Sequence, residues 1–140
     1  MKISIKRLFL DAKAPEYVHD GDAGLNLFSR ETKTITPGER VLLSTGIAFE
    51  IPEGYVGLVW DRSGLSNKQG LKLLGGVIDA GYRGEVFVGL VNLGQEPYAV
   101  KAGDKVAQML IQPVVRAVLE EVNDLSETVR GDGGFGSTGI

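Results

Sequence analysis

The stretch Gly75-Gly76-Val77-Ile78-Asp79-Ala80-Gly81-Tyr82-Arg83-Gly84-Glu85-Val86-Phe87-Val88-Gly89-Leu90-Val91-Asn92 sets two apolar runs on either side of a reversal rich in Gly and Asp. Short apolar runs bounded by turn formers are strands, because a helix needs about ten residues or more to bury a face. The reversal therefore predicts a hairpin with Asp79 at its tip and the ring of Tyr82 beside it. The same grammar recurs outward in both directions, in Ile3–Leu8, Arg40–Leu43, Gly46–Ile51, Tyr55–Trp60 and Lys105–Ile111. Turn residues separate the runs at Thr36-Pro37-Gly38-Glu39, Ile51-Pro52-Glu53-Gly54, Gly94-Gln95-Glu96-Pro97 and Ala102-Gly103-Asp104. Many short strands at such spacing predict an all-β sandwich, jelly roll or barrel. One segment breaks the pattern: Asp61-Arg62-Ser63-Gly64-Leu65-Ser66-Asn67-Lys68-Gln69-Gly70 carries a cap-like Asp or Ser and ends at Gly, which predicts a single short helix.

The 140 residues fit one domain. With 43% hydrophobic and 24% charged residues the composition is that of an ordinary globular chain, which excludes wholesale disorder. No apolar run is long enough to span a membrane. The chain has no Cys, which removes disulfides, thiolate metal sites and cysteine nucleophiles, and no charged-then-apolar leader precedes the first strand. The expected setting is reducing and intracellular. A net charge of −3 argues against a nucleic-acid partner but permits a local basic pocket for one small anion. The apolar pattern stops after Val122, so residues 1–122 read as a β core and residues 123–140 as a linker and arm. Glycine density makes ordering of that arm entropically costly. Its Arg130-Gly131-Asp132 also spells an adhesion tripeptide, which an intracellular setting would leave idle.

Three places carry chemistry. In the arm, Arg130, Phe135, Gly136 and Ser137 combine a guanidinium, a stacking face, an approachable backbone and a hydroxyl, which suits a phosphate-bearing aromatic ligand as well as it suits a frayed terminus. Arg62-Ser63-Gly64 follows an apolar strand and could form an anion site, although the residues alone favour a Ser63 that caps the helix beside a solvated Arg. Asp79 could hold a water as a general base or simply build its turn. The single His19 lies in a polar loop with solvent as its expected partner, and no His or carboxylate cluster has metal-cage spacing.

Five ordered segments resemble the motifs of the homotrimeric dUTP pyrophosphatases (dUTPases): Asp22–Ser29, Arg62–Leu65, Gly76–Asp79 with Tyr82–Gly84, Gly103–Gln108 and Arg130–Gly139. The resemblance implies a jelly-roll-like distorted β-barrel with a flexible Gly-rich C-terminal arm, in a homotrimer whose sites lie between subunits. It implies hydrolysis of dUTP to dUMP and pyrophosphate, with Asp79 activating the water that attacks the α-phosphorus. Arg62, Ser63, Gly64 and Gln108 would hold the phosphates, with Mg²⁺ carried on them. The hairpin of Gly75, Val77 and Ile78, returning near Phe87, would read uracil, and Tyr82 would pack beneath deoxyribose. Arg130 would neutralise the terminal phosphates, Phe135 would stack on uracil, and Gly136 with Ser137 would wrap the triphosphate.

The chain departs from the family pattern at Asn26, where Asp is usual, at Asp61, where a small or apolar residue is usual, and at Gly81, where Asp is frequent. One acid lost and one gained suggests that Asp61 compensates for Asn26. Asp79-Ala80-Gly81-Tyr82 is also similar to a turn of the dCTP deaminases, which share the fold, but their catalytic Glu falls at Gly89 here. A catalytically silent nucleotide-binding regulator is the remaining alternative.

Overall fold

A computed structural model describes residues 1–134. Ten strands follow one another among them: β1 (Ser4–Arg7), β2 (Leu25–Phe28), β3 (Lys33–Ile35), β4 (Arg40–Glu50), β5 (Tyr55–Trp60), β6 (Leu71–Leu74), β7 (Val77–Ile78), β8 (Glu85–Asn92), β9 (Tyr98–Val100) and β10 (Lys105–Pro113). They form two four-stranded sheets, ordered β1-β4-β8-β6 and β2-β10-β5-β7, and a small β3-β9 ribbon. All pairings are antiparallel. The fold is all-β and jelly-roll-like, and its two sheets do not close into a continuous barrel.

Alternation along the strands drives this arrangement. Leu43 and Ile47 of β4 and Val86, Val88 and Leu90 of β8 are buried against Leu27, Val59, Ala107 and Met109 of the opposing sheet. Each of these side chains larger than alanine contributes about 1.5–3 kcal/mol on burial, so the paired centre of β4 and β8 anchors the fold. The predicted runs Arg40–Leu43 and Gly46–Ile51 are one strand, irregular between Ser44 and Ala48. Gly46 has φ +70, and a Cβ there would stand 2.7 Å from the Ala12 side chain. The Glu85 carboxylate closes this irregularity by accepting hydrogen bonds from the Ser44 hydroxyl and from the Gly46 N–H at 2.7 Å.

Two expectations need correction. The helix is one turn with π-type hydrogen bonding, Gly64–Lys68, and neither expected residue caps it. The Ser63 side chain makes no cap bond, and the Asp61 carboxylate accepts instead from the Leu73 N–H in β6 at 2.6 Å. The second concerns the hairpin: β7 and β8 do not pair with each other. Ile78 and Val77 of β7 pair with Gly57 and Leu58 of β5, whereas β8 lies between β4 and β6 in the other sheet. The chain from β6 to β8 thus crosses between sheets and back. Gly76 permits the first crossing, since φ +124 is hostile to a side chain and a Cβ would stand 2.7 Å from the Val59 carbonyl oxygen. The Val59 N–H donates to the Gly76 carbonyl at 2.7 Å, fixing β7 on the open edge of β5.

After β10 ends at Pro113, the described chain to residue 134 contains no further strand or helix. Val115, Val118 and Leu119 are exposed there. Among the described residues no helix is long and apolar enough to cross a membrane.

Candidate active site

Strand order gathers the first group of site residues. With β10 between β2 and β5, Gln108 lies opposite both Asn26 and Trp60, so the three form one row across the sheet. Arg62, two residues past Trp60, reaches back over that row and donates from Nη1 to the Asn26 side-chain oxygen. Asn26 is itself buried and held by its Nδ2, which donates to the Glu16 carbonyl at 3.3 Å. Gln108 Nε2 donates to the Asp61 carbonyl at 2.8 Å, which turns its other amide atom toward Gly24. A Cβ on residue 24 would stand 2.1 Å from Gln108 Oε1, so any side chain there would displace the Gln108 amide from this position.

Arg62, Ser63, Gly64 and Gln108, all anticipated from the sequence, line one cavity of about 490 Å³. His19, Asp22, Asn26 and Lys105 also line it, none of them a ligand residue expected from the sequence. His19, expected to face solvent, stands in this wall, where the Asp22 carboxylate accepts its backbone N–H at 3.0 Å. The electrostatics favour an anion. Arg62 bonds a neutral amide and pairs with no carboxylate among the described residues, so although Asp22 also lines the cavity, the guanidinium keeps donors for phosphate oxygens.

Asp61 does not fill the place of the acid missing at Asn26. Its carboxylate pairs with Lys72 and accepts the Leu73 N–H, facing β6 and away from Arg62. The expected compensation is therefore absent, and because the Asp61 charge is paired with Lys72 it adds little repulsion toward an anion in the cavity.

The second group lies at the other end of β5. From Leu58 opposite Val77 and Gly57 opposite Ile78, the chain runs on to Asp79, away from Trp60 and Arg62. At about 3.4 Å per residue the separation along the strand is on the order of 15 Å. Asp79 is exposed and its side chain makes no hydrogen bond among the described residues. Its carbonyl accepts the Tyr82 N–H at 3.0 Å, closing a tight turn. Arg83 staples that turn, donating from Nη1 to the carbonyls of Ala80 at 2.6 Å and Tyr82 at 3.0 Å, with Glu50 3.8 Å from Nη2. Tyr82 and Phe87 expose about two fifths of their surface, and Val77 two thirds. Gly75 and Val77 border a separate cavity of about 200 Å³ with Asp61, Lys72 and Leu73. Asp79 lines neither cavity.

Arg130 joins neither group. Its Nε donates to the Gly133 carbonyl at 2.8 Å within a local turn. Phe135, Gly136 and Ser137 lie outside the described residues. The position at which a deaminase would carry its acid is Gly89, buried, where a Cβ would approach the Leu74 carbonyl to 3.2 Å. Glu85, the nearest acid on that strand, is committed to Ser44 and Gly46. Among the described residues no three Asp, Glu or His side chains converge as metal ligands.

Comparison with known proteins adds to this geometry. A family model described as dUTPase matches residues 11–139. The deoxyuridine 5'-triphosphate nucleotidohydrolase of Clostridium tetani is 51% identical over 98% of this chain and 96% of its own length. The enzyme of the same name from Clostridium kluyveri is 49% identical over 99% of both chains. Among solved structures, the Staphylococcus bacteriophage 80alpha dUTPase with dUPNHPP superposes with a TM-score of 0.94 at 33% identity, covering 99% of each chain. A dUTPase from phage phi11 of S. aureus, in which a structural Mg(II) ion is coordinated, superposes with a TM-score of 0.84 at 32% identity over 89% of this chain and 98% of its own.

Proposed function

The chain belongs to the dUTPase family, and from that premise we propose that this dUTP diphosphatase works by attack of water on the α-phosphorus, with Asp79 as the general base. The new bond joins the water oxygen to the α-phosphorus, the bridge between the α- and β-phosphates breaks, and pyrophosphate leaves with the electron pair. Asp79 takes the water's proton. Its carboxylate engages no other side chain among the described residues, and that observation carries the assignment. In-line displacement needs positioning and charge neutralisation more than covalent help. Arg62, Ser63, Gly64 and Gln108 offer donors where the triphosphate would lie. The donor set suits a substrate that arrives as its Mg²⁺ complex, in which the ion offsets part of the phosphate charge.

The separation of Asp79 from Arg62 along β5 supports a site completed by a second copy of the chain, in a homotrimer. Uracil is read by the segment Gly75, Val77 and Ile78 with Phe87, and deoxyribose rests on Tyr82. The arm of residues 123–140 closes over the nucleotide, Arg130 meeting the terminal phosphates, Phe135 stacking on the base, and Gly136 with Ser137 wrapping the triphosphate, while residues 1–122 form the catalytic core. An intracellular setting agrees with a Cys-free chain acting on nucleotides.

Product analysis tests the reading directly. Incubation with dUTP and Mg²⁺ should release dUMP and pyrophosphate, and incubation with dCTP should release no ammonia. Orthophosphate in place of pyrophosphate would move the attack away from the α-phosphorus.

A further inference from the structure

Tyr82 lies across its own chain. Its hydroxyl donates to the Glu85 carbonyl at 2.8 Å, three residues on, so the ring must pass over residue 84. There the absence of a side chain is decisive. A Cβ on residue 84 would stand 2.5 Å from the Tyr82 hydroxyl oxygen, 2.6 Å from Cζ and 2.9 Å from Cε2, distances that side-chain carbons do not adopt. All three atoms belong to the far end of one ring. The obstruction is therefore specific to Tyr82 and would be relieved only by swinging the ring out and breaking the hydroxyl bond. Gly84 is not among the glycines with positive φ, so its backbone conformation is open to alanine and no strain confuses the reading.

We infer that Gly84 is a specificity-determining positioning residue: it seats the Tyr82 ring against the backbone at the height from which the ring meets the sugar. This rests on the proposed placement of deoxyribose on Tyr82. The residue is held at both ends, by its backbone N–H on the Asp79 carbonyl and by its ring hydroxyl on the Glu85 carbonyl, with Gly84 as the floor between. A face held this way can refuse a 2′-hydroxyl by shape, which a swinging ring cannot do.

The test is a double-mutant cycle read as the ratio of kcat/KM for dUTP to that for UTP. Tyr82→Ala should lower the ratio by roughly tenfold or more, the scale on which a pocket wall discriminates small groups. Gly84→Ala should lower it comparably. In the Tyr82→Ala background the same Gly84→Ala change should leave the ratio within about twofold, because the ring it displaces is gone. A purely structural defect would lower both substrates together and leave the ratio unmoved. Should Gly84→Ala fold poorly, the double variant should melt no lower than Tyr82→Ala alone, and a lower melting temperature would overturn the ring-specific clash. A selective wild type whose Gly84→Ala variant keeps its preference overturns this inference alone. A wild type inert toward dUTP, or an unchanged ratio in Tyr82→Ala, overturns it together with the placement of the sugar.

Discussion

Arg62 donates its guanidinium N–H to the side-chain oxygen of Asn26, a residue 36 positions earlier in the chain, buried and itself anchored to the Glu16 carbonyl. A cation aimed by a neutral partner keeps its full charge for a ligand, whereas a carboxylate at the same place would offset it. Asn26→Ala should therefore destabilise the chain by about 1–2 kcal/mol, because buried donors and acceptors lose their partners. It should also raise the KM for dUTP several-fold with a smaller change in kcat. Thermal melts and steady-state kinetics check both, and an unchanged KM would count against Asn26 as the residue that aims Arg62.

The Asp61 carboxylate tells a different story, since it ties the end of β5 to Lys72 and Leu73 of β6 and turns away from the cavity. Asp61→Ala should lower stability by about 1 kcal/mol or more while leaving kcat within about twofold. A collapse of turnover in a variant that melts normally would restore the idea that this acid serves catalysis.

Asp79→Asn should retain dUTP binding and lose turnover by roughly 10²–10⁴-fold, because the amide matches the carboxylate in shape but cannot accept the water's proton. Equilibrium binding of a non-hydrolysable analogue together with pyrophosphate release separates the two effects. Near-normal turnover would sink the base assignment.

Removal of the arm from Arg130 onward should leave the β core intact, since the last strand ends at Pro113, yet abolish most catalysis. Co-refolding arm-truncated chains with Asp79→Asn chains decides which subunit an arm serves. If arms act in trans, some mixed trimers contain a site with both an intact Asp79 and an intact arm, and activity should exceed that of either variant. Verified mixed trimers that remain inactive would reject arm exchange.

A pH prediction comes from the turn before β4, where Glu39 accepts the Thr36 N–H at 2.8 Å and the Thr36 hydroxyl at 2.9 Å. These bonds, the backbone one foremost, hold its carboxyl below the usual value of 4.5. A depressed folded pKa stabilises above the unfolded value and is lost as pH falls through the folded one. Glu39→Gln should accordingly flatten the loss of stability below about pH 4.5, in acid titrations followed by circular dichroism. An acid limb identical to that of the parent would remove the turn from the account.

Much of this was legible in the residues. The turn at Thr36–Glu39 carries its own instructions: Gly38 supplies φ +80 and Glu39 bonds back to Thr36. The runs Tyr55–Trp60, Glu85–Asn92 and Lys105–Ile111 each became a strand close to the expected bounds. Others were not visible. Leu25–Phe28 hides its character because Asn26 interrupts the apolar pattern yet is buried, a burial that only Arg62 and Glu16 make tolerable. The three-residue strands Lys33–Ile35 and Tyr98–Val100 are too short to show any period and exist because each pairs with the other.

By itself the sequence determined the β character, the turns, and the candidacy of Arg62 and Asp79, because dihedral preferences and side-chain chemistry act over a few neighbouring residues, while Gln108 and Tyr82 were candidates through the resemblance of their motifs to those of the dUTPases. Tertiary structure alone decided that β7 joins β5 and not β8, that Asp61 faces Lys72, and that Gly84 forms the floor under Tyr82. Those outcomes depend on which edges and faces can be buried or bonded together across distant parts of the chain. A strand's local pattern fixes which of its sides is apolar, but its partner is chosen by the competition of every open edge and uncovered face in the folded whole.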